Sequence, residues 1–160
     1  MPMLRAFMIM ILMLTGCAVN EPTINETQAL VRVDQLVHET AAALDPKPRL
    51  EVIPHSLPTS ACLDPDKPAG QVIVNRKYWL RGLPADQNMN IARQVRSHWE
   101  REGHTILSVG GWDAGHPSIG GLSKPDGFLL ALVWSEGDDL YLAATSPCIW
   151  PSGSPPPDAA

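Results

Sequence analysis

One short stretch of the sequence gathers side chains of the kinds that do chemistry. Between Gly111 and Ser118 stand an indole (Trp112), a carboxylate (Asp113), an imidazole (His116) and a hydroxyl (Ser118), set among glycine, alanine and proline. A carboxylate and an imidazole this close in the chain can exchange a proton with a bound group if the loop folds back on itself. Loops of this composition often carry binding residues. There is no G-x-S-x-G turn to raise a nucleophilic serine, and Ser118 has no identifiable base beyond His116. Gly120-Gly121 lacks the surrounding pattern of a phosphate loop. Trp112, Asp113 and His116 are therefore expected to be ligand contacts at most, and no catalytic residue is assigned.

A second constellation is His98 and Glu102, four residues apart and so on one face of a helix, with His104 following. A divalent ion needs more convergence than this, and no His-Glu-x-x-His is present. No metal ligand is assigned, and no cofactor is implied. Asp138-Asp139 reads as a solvated turn, since a calcium loop needs several oxygens at set positions. No S-x-x-K serine motif occurs.

The remaining reactive side chains are three cysteines. The first ends a leader-like segment. Arg5 precedes nine apolar residues, Ala6 to Leu14, and then comes Leu14-Thr15-Gly16-Cys17. A basic residue followed by a short apolar run is the layout of a secretory signal. The run is too short to span a bilayer, which takes about 20 residues. Leu14-Thr15-Gly16-Cys17 resembles the lipobox of bacterial lipoproteins. The resemblance implies that Cys17 receives diacylglycerol on its sulfur and that residues 1–16 are removed as a signal peptide. Two acyl chains would hold the chain stably on the outer face of a membrane. Residues 17–22 then form the lipidated Cys and a short tether, which places the domain behind it close to the lipid.

With Cys17 lipidated, Cys62 and Cys148 remain. Two thiols exported to an oxidising space normally pair. No C-x-x-C redox motif is present. A Cys62–Cys148 disulfide would close a loop of about 87 residues and stabilise the fold by at most roughly 4–5 kcal/mol in the chain-entropy picture.

The formal charge is −5 and becomes more negative when Arg5 leaves with the signal. No basic cluster exists, so nucleic acid is excluded as a partner, as is electrostatic adhesion to an anionic bilayer. The segment 23–150 suits a single domain. A Pro-rich tail, 151–160, is expected to be disordered.

Elements follow from periodicity. Thr23-Ile24-Asn25-Glu26 reads as a capping box. Leu30, Val33, Val37, Ala41 and Leu44 follow at helical spacing, which predicts a helix over about 23–44. Residues 49–69 read as irregular, apart from a short extended piece at Leu50–Ile53. Gln71–Leu80 alternates as a strand, with Val72, Val74, Tyr78 and Leu80 on one face. Met89, Ala92, Val95 and Trp99 form the stripe of a second helix that ends at Gly103. Thr105–Val109, Phe128–Trp134 and Leu140–Thr145 are further strands, the last two joined by a hairpin, and 110–127 reads as a loop. The expected fold is α+β, a two-layer sandwich of two helices on a mainly antiparallel sheet of about four strands, with one disulfide.

One strand poses a question. In Phe128–Trp134 both faces are apolar: Phe128, Leu130, Leu132 and Trp134 on one, Leu129, Ala131 and Val133 on the other. If both helices cover one face, the second needs a loop (49–69 or 110–127) or a partner.

The lipobox, first helix, distant cysteine pair and Ser146-Pro147-Cys148 ending together resemble the small uncharacterised lipoproteins of actinobacteria. The resemblance implies an envelope location and transfers no active site. The leading expectation is a membrane-anchored, extracytoplasmic, non-catalytic module for protein interaction or envelope maintenance. The alternative is a small-ligand or cell-wall-glycan binding module that uses the loop 110–121. An enzyme using Asp113 and His116 is the third reading.

Overall fold

The structure is a computed structural model that describes residues 23–54 and 58–157. The signal peptide, Cys17 with its tether, and the last three residues of the tail lie outside the described residues. Among those described, no helix is long and apolar enough to cross a membrane.

The chain runs α1 (Glu26–Ala42), β1 (Arg49–Val52), β2 (Thr59–Ala61), β3 (Val72–Arg81), α2 (Asn88–Arg101), β4 (Thr105–Gly110), β5 (Ser118–Leu122), β6 (Leu129–Ser135) and β7 (Asp139–Thr145), with one 3-10 turn (Ala85–Gln87) before α2. All strand pairs are antiparallel. The order across the sheet is β1-β3-β7-β6-β5-β4, and β2 also pairs with β3. The class is α+β as expected, but the sheet has seven strands, not about four.

Of the three extra strands, β1 forms at the short extended piece expected at Leu50–Ile53, and β2 and β5 lie where the sequence suggested loops. β1 and β2 are four and three residues long, too short to show a period. β5 is Ser-Ile-Gly-Gly-Leu, and glycine argues against a strand. Both glycines are there for close approach. A Cβ on Gly121 would stand 3.0 Å from the Trp99 ring, and one on Gly120 would stand 2.6 Å from Ser108 Oγ.

The N-cap of α1 lies two residues later than the sequence suggested. Asn25 is the N-cap and forms the capping box with Gln28, accepting from the Gln28 N–H at 2.8 Å. Thr23 has another role: its hydroxyl accepts from the Trp150 N–H at 2.7 Å. α1 buries Ala29, Val33, Leu36, Val37, Thr40 and Ala41. α2 buries Ile91, Ala92, Val95 and Trp99, with Met89 only half-buried. Each Val, Leu or Ile so removed from water contributes about 1.5–3 kcal/mol.

Both helices lie on one face of the sheet. Trp99 joins them: its ring rests on Gly121 and its indole N–H donates to Thr40 Oγ1 at 2.9 Å. Thr40 in turn donates to the Leu36 carbonyl. Beneath the helices lie Val74, Tyr78, Leu80, Ile119, Leu130, Leu132, Leu140, Leu142 and Ala144, all buried.

Cys62 and Cys148 form a disulfide, with Cα atoms 5.6 Å apart. It pins a strap that runs past the end of β7. Val72 and Ile149 exchange both backbone hydrogen bonds. Trp150 is 1% exposed. The Pro151 carbonyl accepts from Glu26 N–H, and the Gly153 carbonyl accepts from Thr23 N–H. These residues were expected in a free tail. Instead they satisfy backbone donors at the start of α1 that have no partner within the helix.

Removing the disulfide with Cys62→Ser and Cys148→Ser should lower unfolding stability by up to about 4–5 kcal/mol. Trp150→Ala should cost about 3–5 kcal/mol. Urea unfolding measures both, and a loss under about 1 kcal/mol in either would contradict the strap's structural role.

Candidate functional site

The loop between β4 and β5 is held tight. The Gly115 N–H donates to the Trp112 carbonyl and the His116 N–H to the Gly111 carbonyl. At Gly111 φ is +70°, and a Cβ there would meet the His116 carbonyl at 1.9 Å, so only glycine fits. Trp112 is half-buried and packs against the core, with Arg93 of α2 over its ring at 6.0 Å. Its indole N–H is buried without a partner. His116 stacks on Trp134, with ring centroids 3.7 Å apart and planes 13° apart.

The loop is thus folded onto the helix side of the sheet. Asp113 is exposed, and neither a hydrogen bond nor an ion pair joins it to His116 among the described residues. Trp112 is therefore a partly packed side chain with a cation near its ring, not a fully exposed stacking platform. Trp150, a second tryptophan that could have stacked on a ligand, is wholly inside the core.

His98, Glu102 and His104 do come together. With Glu39, Leu36 and Thr40 they line a cleft of about 480 Å³ between the two helices. His104 Nδ1 accepts from the Lys124 N–H at 3.2 Å, so one ring nitrogen is already in use. Among the described residues, no group of three His, Cys, Asp or Glu is placed to hold a metal ion. Burial pushes the His98 imidazole below its usual value, and the nearby Glu102 carboxylate only partly offsets this.

A cluster the sequence did not suggest ties α1 to β3. Tyr78 donates to Asp34 Oδ1 at 2.7 Å, Arg76 Nε stands 3.8 Å from the same oxygen, and His38 meets the Tyr78 ring edge-on at 5.6 Å. Burial, and then Asp34, push the Tyr78 phenol up to about 12. It stays protonated at neutral pH and serves as a donor, not a base. The only sequence signal was Asp34 and His38 at i, i+4 on α1; their partners come from a strand forty residues on.

The sheet face away from the helices has no role so far. The segments 49–69 and 110–127 could have covered it; instead the first adds β1 and β2 beside β3, and the second adds β5 between β6 and β4. On this face Leu129 is 50% exposed, and Trp79, Tyr141, Val133, Leu122 and Ala131 are half-buried. Trp79 and Tyr141 meet edge-to-face at 5.6 Å. Arg81 lies over Trp79 and is paired with Glu51 and Asp139. No family model, curated protein or solved structure matches this chain.

His98 gives a pH test. Its folded value lies below the ordinary 6.5, so folding favours the neutral ring. The stability it contributes is complete above about pH 6.5 and is lost as pH falls through the folded value. His98→Gln should therefore flatten the acid side of a plot of urea midpoint against pH. Parallel curves for wild type and variant between pH 7.5 and pH 5 would contradict the burial of the neutral ring.

Proposed function

We propose that this chain is a membrane-anchored, extracytoplasmic lipoprotein that works without catalysis, as an interaction or envelope-maintenance module acting through the open face of its sheet. The observation that carries this reading is that face. It carries Leu129, Val133, Ala131, Leu122, Trp79 and Tyr141, and both helices lie on the other side of the sheet. Contiguous exposed apolar surface of this kind marks interaction sites.

The disulfide supports an oxidising location. The Leu14-Thr15-Gly16-Cys17 motif supports lipid anchoring at Cys17. Two observations support the non-catalytic reading: among the described residues no hydrogen bond or ion pair joins Asp113 to His116, and Tyr78 is held protonated. The alternative module, using Trp112, Asp113 and His116, has one observation in its favour, the exposure of Asp113 and His116 in one loop. The half-buried Trp112 ring, packed against the core, weighs against it.

Two experiments test the reading. Cys17→Ala should leave the protein unprocessed or release it from membranes on fractionation of the producing cells. A fully mature, membrane-bound variant would refute the anchor. Val133→Asp on the open face should abolish complementation of a deletion strain's envelope defect, while Asp113→Asn with His116→Ala should leave it intact. The reverse pattern would transfer the function to the loop.

A further inference from the structure

The open face carries a groove whose shape and charge specify a ligand class. Cross-strand register aligns Ser108, Gly120, Ala131, Ala143 and Lys77 in one row across β4, β5, β6, β7 and β3. The next row on one side is Leu122, Leu129, Thr145 and Asn75; on the other it is Ser118, Val133, Tyr141 and Trp79. Larger side chains therefore stand on both sides of a floor of Gly and Ala. A cleft of about 300 Å³ opens over this floor, bounded by Leu107, Leu129 and Thr145, and none of its lining residues is charged. Four strand spacings separate the row's ends, roughly 19 Å.

The two ends differ. At the β4 end is Leu107, pushed out by a β-bulge between Ile106 and Ser108 and 54% exposed. At the β3 end is Lys77, half-buried and without a carboxylate partner among the described residues. Arg81, four residues on along the same face, is neutralised by Glu51 and Asp139. The lining of the cleft ends at Ala143, and the register places Lys77 next in the row, just beyond it.

The floor between Lys77 and Ser108 has no hydrogen-bonding side chain. A peptide or glycan laid along it would leave its own polar groups facing Ala131 and Ala143, at a cost for each group kept from water. A polymethylene chain has no such groups. We propose that the groove binds one long-chain fatty acid, with its chain along Ala143, Ala131 and Gly120 and its carboxylate at Lys77. The inference rests on the reading of the open face as the working surface and names what that surface holds.

The probe is palmitate at submicellar concentration, measured by equilibrium binding to the purified mature protein. One saturable site is expected, with affinity rising from octanoate through dodecanoate to palmitate. Hexadecanol, which has the chain without the charge, should bind roughly tenfold more weakly, and Lys77→Gln should weaken palmitate by a similar factor, as expected for loss of one charge-assisted contact. Ala131→Phe, which fills the floor at a half-buried position, should abolish binding while the disulfide and circular dichroism remain those of the wild type.

Absence of a saturable site overturns the inference, as does a folded Ala131→Phe variant that binds like wild type. Equal affinity for hexadecanol and palmitate removes the role of Lys77 and overturns it too. So does a doubled mass in sedimentation that Ala131→Phe abolishes while palmitate fails to bind, because the occupant is then a second copy. In that last case the open face remains the working surface; binding of palmitate with no effect of Val133→Asp in cells would instead sink the broader reading.

Discussion

The fold depends on where one indole can go. Trp99 must bury its ring and satisfy its N–H, and it does both only because Gly121 presents no side chain and Thr40 presents a hydroxyl at 2.9 Å. That contact draws α2 against α1 and seats both helices on the same side of the sheet. A buried indole N–H without a partner costs free energy, so the geometry is specified as well as stabilised. The consequence is a one-sided molecule: one sheet face lies under helices, and the other faces away from them with Leu129 exposed and its Val and aromatic side chains half-buried.

The disulfide and the strap it anchors act at the opposite margin. Cys148 fixes the chain just past β7, and the next residues bury Trp150 and supply carbonyls to the first turn of α1. The point where the tether would enter the domain is therefore locked to both the sheet and the strap. Any pull on the N-terminal side is borne by Thr23, Glu26 and their partners rather than by α1 alone. This arrangement suits a domain held by a short lead, and it leaves the open face free of any anchoring duty.

Much of this was legible in the sequence, for physical reasons. The 3.6-residue period of α1 and α2 and the alternation in β3 and β7 are properties of single segments. The Cys62–Cys148 pairing followed from elimination. The apolar pattern on both sides of β6 already asked what covers its second face. The rest was hidden because it is set by contacts between segments. β5 has the composition of a loop until Trp99 and Ser108 explain its glycines. Thr23 reads as a helix cap until Trp150 claims its hydroxyl. Trp112, Asp113 and His116 look functional as neighbours in the chain, but folding presses Trp112 and His116 against Arg93 and Trp134. The row from Ser108 to Lys77 combines five strands, and only their register reveals it.

The most direct test of the open face as the working surface is site-specific photo-crosslinking in intact cells. A photoreactive residue replaces the exposed Leu129 on that face in one strain and the exposed Asp113 in the loop in another. A reproducible adduct from position 129 and none from position 113 is the predicted result. Adducts from 113 alone would contradict the account and return the function to the loop.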